Sequence, residues 1–581
     1  MKKYKLIMLL LISIGFSACE DKILNLESLT SPVDATFYTN EAELDLALTG
    51  VYNTLILTSW YTTSIQTLMD NSATDIGIVR GDGAGSYQEL GAGIHSSMSA
   101  GFQWSYSHYY RGIARANSLL ENMVRAKEVV DEEKYDDIKA QALVVRAINY
   151  MYLTELFGDV PYIDKVINDP KDGVILRTPK ETIVTSLLED LQLASELLPL
   201  TRPDSEKGKI TKAVALTLRA RIALYNKKYS EAASSAGAVM DMESASGLAL
   251  HPDYGELFAQ AGQNSSEIML IMPYKEEFLR SRWPTAQGSR NLGGYSTYVP
   301  TQSMIDSYEA IDGEPIDESG IYDPKNPFEN RDPRLKASVV TPQSVWAGII
   351  FDGHPDSLTF RNAAGEEVGA NKDCRNASWP GAFCGYLWKK YTDEESQTMV
   401  DGYSYLNFTL MRYTEVLLIY AEAKIESGDI DPTVLNAINR IRSRAYGVDV
   451  SDTGNYPAII TTDQAELRKV IRRERKVELA NEGFRLFDIR RWRIAEKVMP
   501  VVIYGRILDT STATGVPQID DDGFVSYAGI ESQYDLNTDA RFPNAQNRQF
   551  NPGRDYLCPI PQQEIDTYAG LGETLEQNPG Y

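Results

Sequence analysis

Cysteine and histidine are scarce, with four of each in 581 residues. A zinc site needs His or Cys ligands at short, repeated spacing, whereas His95, His108, His251 and His354 stand singly, with no HExxH pair. No metal is expected. Apolar runs are short too: the clearest, Leu6 to Phe16, is about half the ~20 residues that a membrane-spanning helix requires. Positive charge is in deficit, 57 Lys+Arg against 81 Asp+Glu, for a net charge of −24. Such a field repels phosphate backbones and anionic lipid, so no nucleic-acid partner is expected and membrane contact needs another cause. A GxSxG elbow and a phosphate-cradling Gly-Lys loop are missing as well. "GDGAGSY", from Gly81 to Tyr87, has no such lysine and suits a flexible loop; "IDDDGF", with Asp520 to Asp522, departs from EF-hand spacing and suits a solvated turn. No carboxylate pair is singled out as a glycosidase acid and nucleophile. Neither catalysis nor a cofactor is expected.

What is present begins at the amino end. Lys2, Lys3 and Lys5 precede the apolar stretch, which closes on the small pair Ser17 and Ala18, the layout of a secretory signal peptide over residues 1–18. Cys19 follows at once and resembles the lipobox cysteine of bacterial lipoproteins, which is diacylated and becomes the mature terminus. Two or three acyl chains hold firmly where one is marginal, so lipid would tether this acidic chain to a membrane. Glu20 and Asp21 resemble the acidic surface-export tag of some Gram-negative lipoproteins. Cys374 and Cys384 bracket a Pro/Gly loop in an exported chain, where a disulfide is plausible and would contribute roughly 2.5–3 kcal/mol. Cys558 is left over as a buried thiol.

Apolar spacing at i, i+3, i+4 and i+7 predicts helices over Glu41–Leu57, Trp104–Val130, Tyr135–Phe157, Lys180–Leu198, Thr211–Asn226, Ser230–Met240, Arg412–Ser427, Thr433–Tyr446 and Ala465–Ala480. They form pairs. In "LTLRARIALYNKKYSEAASSAGAVM" small residues let two helices approach closely, as in tetratricopeptide repeats, although the period is irregular. The fold class is therefore mainly α, a scaffold of tetratricopeptide-like helix pairs. Gly247 to Val400, Asp70 to Gly101 and Pro500 to Phe550 suit a loop-rich, partly β surface mounted on it.

Ordered blocks run along the chain: "WSYSHYYRGIARANSLLENM", "AQALVVRAINYMYLTELFGDVPY", "RARIALYNKKYSEA", "NRDPRL", "RYTEVLLIYAEA", "LNAINRIRSRA", "RRERKVELANEGFRLFDIRRW" and the tail "YLCPIPQQEIDTYAGLGETLEQNPGY". From Cys19 to Tyr581 the sequence resembles the SusD/RagB family of surface lipoproteins. The resemblance implies one SusD-like domain over 19–581, with an N-terminal part to about 245 and a C-terminal part from about 246. It also implies lipid anchorage in the outer membrane facing the exterior, a SusC-like TonB-dependent transporter as partner, and an oligosaccharide or similar nutrient as ligand.

The blocks have physical readings of their own. Arg475 and Glu478, Glu482 and Arg485, Arg485 and Asp488, and Asp488 and Arg491 stand three apart and could pair along a helical surface, with Gly483 as an interruption. Gly158 suits a helix stop, and Arg331, Asp332 and Arg334 suit a turn that clamps neighbouring backbone. Binding a sugar requires aromatic faces for its C–H groups and polar groups for its hydroxyls. The best cluster is Trp283, Tyr295 and Tyr298, with Arg290 and Asn291 between them. The resemblance adds Arg80, Tyr87 and Gln88; Trp346 and Trp379 are outlying platforms, and Trp104 and Tyr110 are expected in the core. Two rival functions are a helical scaffold that only recruits proteins and a surface glycosidase.

Overall fold

A computed structural model describes residues 37–58, 64–80, 86–377, 381, 384–392, 394–397, 402–536, 545 and 547–581. The signal peptide expected over residues 1–18, Cys19, Trp379 and residues 81–85 lie outside them.

The helices that carry the description are α1 (Glu41–Tyr52), α2 (Ile65–Ser72), α3 (Ala100–Asn122), α4 (Glu132–Phe157), α5 (Lys180–Leu197), α6 (Lys212–Tyr225), α7 (Tyr229–Asp241), α8 (Tyr413–Ser427), α9 (Pro432–Ala445), α10 (Gln464–Glu478), α11 (Arg485–Arg491) and α12 (Gln562–Gly570). All nine expected helices are among them. Their ends follow capping chemistry: Asn40, Asp131, Asp431 and Asp463 accept a first-turn backbone N–H of α1, α4, α9 and α10, and Pro432 opens α9. Gly158 stops α4 at φ +74°.

From α3 to α9 each long helix packs on the next, α8 also touches α10, and α1 lies across α3 and α4. α4 is central, with Ala140, Ala142, Val144, Val145 and Ala147 fully buried. Close approach depends on small residues: α7 buries Ala232, Ser235 and Ala236, and a Cβ placed on Gly237 would lie 3.4 Å from the Tyr420 ring of α8. The contact of α7 with α8 closes the scaffold across about 170 residues of intervening chain. That chain forms short strands. β1 (Gly77–Val79), β2 (Ile268–Met272), β3 (Tyr298–Pro300) and β4 (Phe408–Arg412) make two antiparallel pairs, β1 with β3 and β2 with β4. A four-stranded antiparallel meander occupies Val345–Ala370.

One expectation of open loop is corrected. α2, which runs into the Asp70–Gly101 segment, is buried from end to end, and Ser86–Ala92 is also helical. Its polar residues find fixed partners: Asn71 donates to Asn481 Oδ1 (2.8 Å) and accepts from Trp388 Nε1 (2.6 Å), while Asp70 accepts the backbone N–H of Gly483 (2.8 Å) and Leu486 (3.1 Å).

The charged motif of α10 and α11 is a buried network, not a helical surface. Only Asp488–Arg491 keeps the i,i+3 pairing. Arg412 reaches Glu267 (2.7 Å), Glu478 (2.8 Å) and Glu482 (2.7 Å), while Arg444 pairs with Glu267 (3.0 Å) and Glu478 (2.5 Å). Arg334 joins Asp332, Glu474 and Glu478; Arg475 binds Asp488 and Arg485 binds Asp75. Gly483 has φ +89°, and a Cβ there would stand 2.4 Å from Gln66 Cβ, so the chain turns at 483 and Arg485 meets a partner remote in sequence. Arg331 clamps the backbone oxygens of Ile305, Tyr308 and Pro327 as the motif suggested.

Burial alone would raise the Glu478 carboxyl, but Arg444, Arg412 and Arg334 outweigh it and hold it well below the usual range; Glu267, Glu309, Asp75 and Asp488 are lowered against burial in the same way. These groups stay ionised in the fold at pH values where the unfolded chain protonates, so their stabilisation is complete above about pH 4.5 and is lost as pH falls further. Burial pushes Asp70 up to about 7 and Asp306 up to about 6, which has the opposite sign: between those values and about pH 4 the fold binds more protons than the unfolded chain and gains stability as pH falls. Urea midpoints are expected to peak near about pH 5 and to drop steeply below about pH 4. A midpoint that rises steadily from pH 3 to 7 would contradict this assignment.

Candidate functional site

The β2–β4 pair sets up one exposed ridge. Register places Phe408 opposite Met272, so the segment leaving β2 and the segment entering β4 run side by side. Beyond β2, Lys275 and Leu279 close a tight hairpin with Phe278 at its tip, 82% exposed. Ser281 then bridges to Ser404. Because Arg280 and Arg282 flank that bridge two residues apart, both guanidinium groups reach the Tyr403 ring, at 4.1 and 5.4 Å from its centroid. Buried Thr285 ties the two segments together, donating from Oγ1 to Gly402 O (2.7 Å) and accepting the Tyr295 backbone N–H at its carbonyl (2.7 Å).

The turn that carries Tyr295 is built on one buried carboxylate. Asp373 accepts from Ser289 Oγ (2.5 Å), Arg290 N (2.8 Å) and Asn291 Nδ2 (2.9 Å), and Asn291 also donates to Asn371 Oδ1 (2.8 Å). Burial pushes the Asp373 carboxyl up, and these three donors offset part of that shift. Arg80 supports the same turn, donating from its backbone to Thr297 O (3.0 Å) and from Nη1 to Tyr295 O (3.1 Å). Gly381 packs against the Arg290 side chain. Tyr295 is 44% exposed, and Thr285 joins its turn to the segment of Gly402 and Tyr403.

The structure therefore brings Arg80, Arg290, Asn291 and Tyr295 together and, among the described residues, buries or half-buries the other candidates. Trp283 is fully buried and stacks on Tyr391 (centroids 5.3 Å apart) and Phe408 (5.8 Å); it opens a short helix, Trp283–Gln287, whose residues are all inside. Tyr298 is fully buried in β3. Tyr87 is buried with its hydroxyl donated to Gly101 O, and Gln88 is half-buried on Val79 O. Trp346 packs inside the meander with Lys389 Nζ 5.2 Å from its ring centroid. The correction runs the other way for Trp104, which is 44% exposed, whereas Tyr110 packs against the core. Cys374 and Cys384 are separate buried thiols instead of a bonded pair; Cys374 Sγ donates to Pro355 O (3.1 Å). Cys558 is the expected buried thiol, with Arg490 at 3.7 Å. Asp520 to Asp522 form a turn paired with Lys497, Arg472 and Lys469.

Sequence reasoning missed Tyr403, Arg280, Arg282 and Asp373. The alternation in "RSR", residues 280–282, was a signal for the two arginines. Nothing local marked Asp373, whose partners lie about eighty residues away.

Residues 258–581 match the protein family described as the SusD family, and residues 31–224 match the one described as starch-binding associating with outer membrane. The chain belongs to the SusD family. A SusD-like protein, P2, of Formosa agariphila is 27% identical over the full length of both chains. A solved SusD-like carbohydrate binding protein from Bacteroides fragilis superposes with a TM-score of 0.76 at 26% identity, covering 91% of this chain and 99% of that one. A laminarin binding SusD-like protein shares the fold at 20% identity, with a TM-score of 0.66 over 94% of this chain and all of the other.

Since Trp283 lies inside a stacked aromatic cluster, Trp283→Ala is expected to cost about 3–5 kcal/mol of stability in urea denaturation. Trp283→Phe should leave glycan retention on affinity gels unchanged. Loss of retention in a stably folded Trp283→Phe protein would return that ring to the binding surface.

Proposed function

We propose that this SusD-family protein is a non-catalytic cell-surface lipoprotein that binds oligosaccharide on the ridge around Tyr295 and Tyr403 and passes it to a SusC-like TonB-dependent transporter. Residues 19–581 would act as one unit tethered through acylated Cys19 to the outer leaflet. The observation that carries the reading is an exposed tyrosine, Tyr295, on a turn that Thr285 joins to the segment of Tyr403, whose ring two arginines reach: flat apolar faces suit sugar C–H groups, and guanidinium groups suit the hydroxyl edge. Support comes also from the carbohydrate-binding names of relatives and from the signal peptide followed by cysteine.

Affinity electrophoresis against a polysaccharide panel, with parallel assay of released sugar, tests the ligand class. At least one glycan is expected to retard the protein without product. Release of product would favour a glycosidase, and no retardation on any glycan would favour a protein-recruiting scaffold. Cys19→Ser is expected to release the protein from the outer-membrane fraction, and an unchanged location would remove the tether from the proposal.

A further inference from the structure

Away from the ridge, the structure contains a cavity of about 520 Å³ between α3, the segment Pro161–Val174 and the C-terminal helix α12. Tyr106, Tyr110 and Ile113 of α3 line one wall, and Glu564, Tyr568 and Leu571, spaced i, i+4 and i+7, line the other. The tyrosine hydroxyls already hold the cavity's frame: Tyr110 donates to Pro161 O (2.7 Å) and Tyr568 to Ile175 O (2.8 Å). Asn117 fixes the intervening segment through Ile163 O (2.8 Å). The hydroxyls of Tyr110 and Tyr568 are thus already engaged, and the Tyr106 and Tyr110 ring centroids lie 4.9 Å apart.

Glu564 is the polar exception. Among the described residues its carboxylate makes no hydrogen bond or ion pair, although the residue is half-buried at the cavity wall. Lys165 also lines the cavity and is exposed to solvent. Tyrosine faces attract cations through their quadrupole, and a partly desolvated carboxylate gains from a charged donor. The volume suits a small molecule.

We propose that this cavity is a second ligand site, distinct from the glycan ridge, that takes a small primary amine with an apolar or aromatic body, the ammonium facing Glu564 and the body lying among Tyr106, Tyr110 and Tyr568. Burial, with no cation offsetting it, raises the Glu564 carboxyl, in keeping with a group that lacks its partner.

Calorimetric titration of the purified chain with phenethylammonium tests the site, with 3-phenylpropionate as the charge-reversed control. Saturable binding of the amine is expected, about tenfold weaker in Glu564→Gln, with the control binding weakly or not at all. Ala114→Trp, at the mouth on α3, is expected to abolish binding while glycan retention persists; should that variant fail to fold, Glu564→Gln alone decides. The proposal is overturned if no saturable binding occurs, if the acid binds as well as the amine, or if Glu564→Gln binds as tightly as the parent.

Discussion

Replacing Arg412 by methionine is expected to destabilise the protein by about 3–5 kcal/mol. The guanidinium is buried and touches Glu267, Glu478 and Glu482 at once, so its removal leaves carboxylates inside the protein short of positive charge. Charged groups taken from water are costly when unpaired, even where the intact pair contributes little net stability. Arg412→Lys should recover only part of the loss, since an ammonium cannot span three carboxylates with a planar fork. Urea denaturation measures both variants, and a loss below about 1 kcal/mol for methionine would show that the neighbouring cations Arg444 and Lys390 suffice. The consequence reaches the ridge, because Arg412 ends β4, the strand whose pairing with β2 aligns the segments bearing Tyr403 and Arg280.

The double variant Tyr295→Ala/Tyr403→Ala is expected to weaken glycan binding by at least about 2 kcal/mol, roughly thirtyfold, with little change in stability. Tyr295 is exposed and Tyr403 half-buried, so their rings contribute little to the core. Arg290→Ala and Asp373→Ala should differ in kind. The first removes a donor from the surface. The second unties the turn through Ser289, Arg290 and Asn291 and so lowers both affinity and stability. Binding isotherms on whichever glycan retards the parent protein, paired with urea midpoints, separate these cases. Parent-like affinity in the double variant would move the site off the ridge.

Much of the scaffold was legible because helix formation is written locally. Apolar spacing, the caps Asn40, Asp131, Asp431 and Asp463, and the stop at Gly158 act within a turn or two of the residues they shape. α2 escaped notice because it is only eight residues long and mostly polar: Ile65, Leu68 and Met69 fall at i, i+3 and i+4, but the polar residues are buried by Asn481, Trp388 and the Gly483 backbone, partners far along the chain. The aromatic candidates failed for a related reason. Trp283 and Tyr295 sit twelve residues apart in one aromatic-rich segment, yet one is wholly inside and the other is 44% exposed, a difference set by Tyr391, Phe408 and Asp373 from far along the chain.

Residue order alone determined the helical scaffold, the net negative charge and the family motifs, because each depends on neighbours within a few positions or on composition. Which aromatics face solvent, which carboxylates meet which arginines, and where the ridge and the tyrosine cavity lie were decided by tertiary structure. Those choices depend on contacts between segments tens to hundreds of residues apart, where burial and charge pairing are settled by packing.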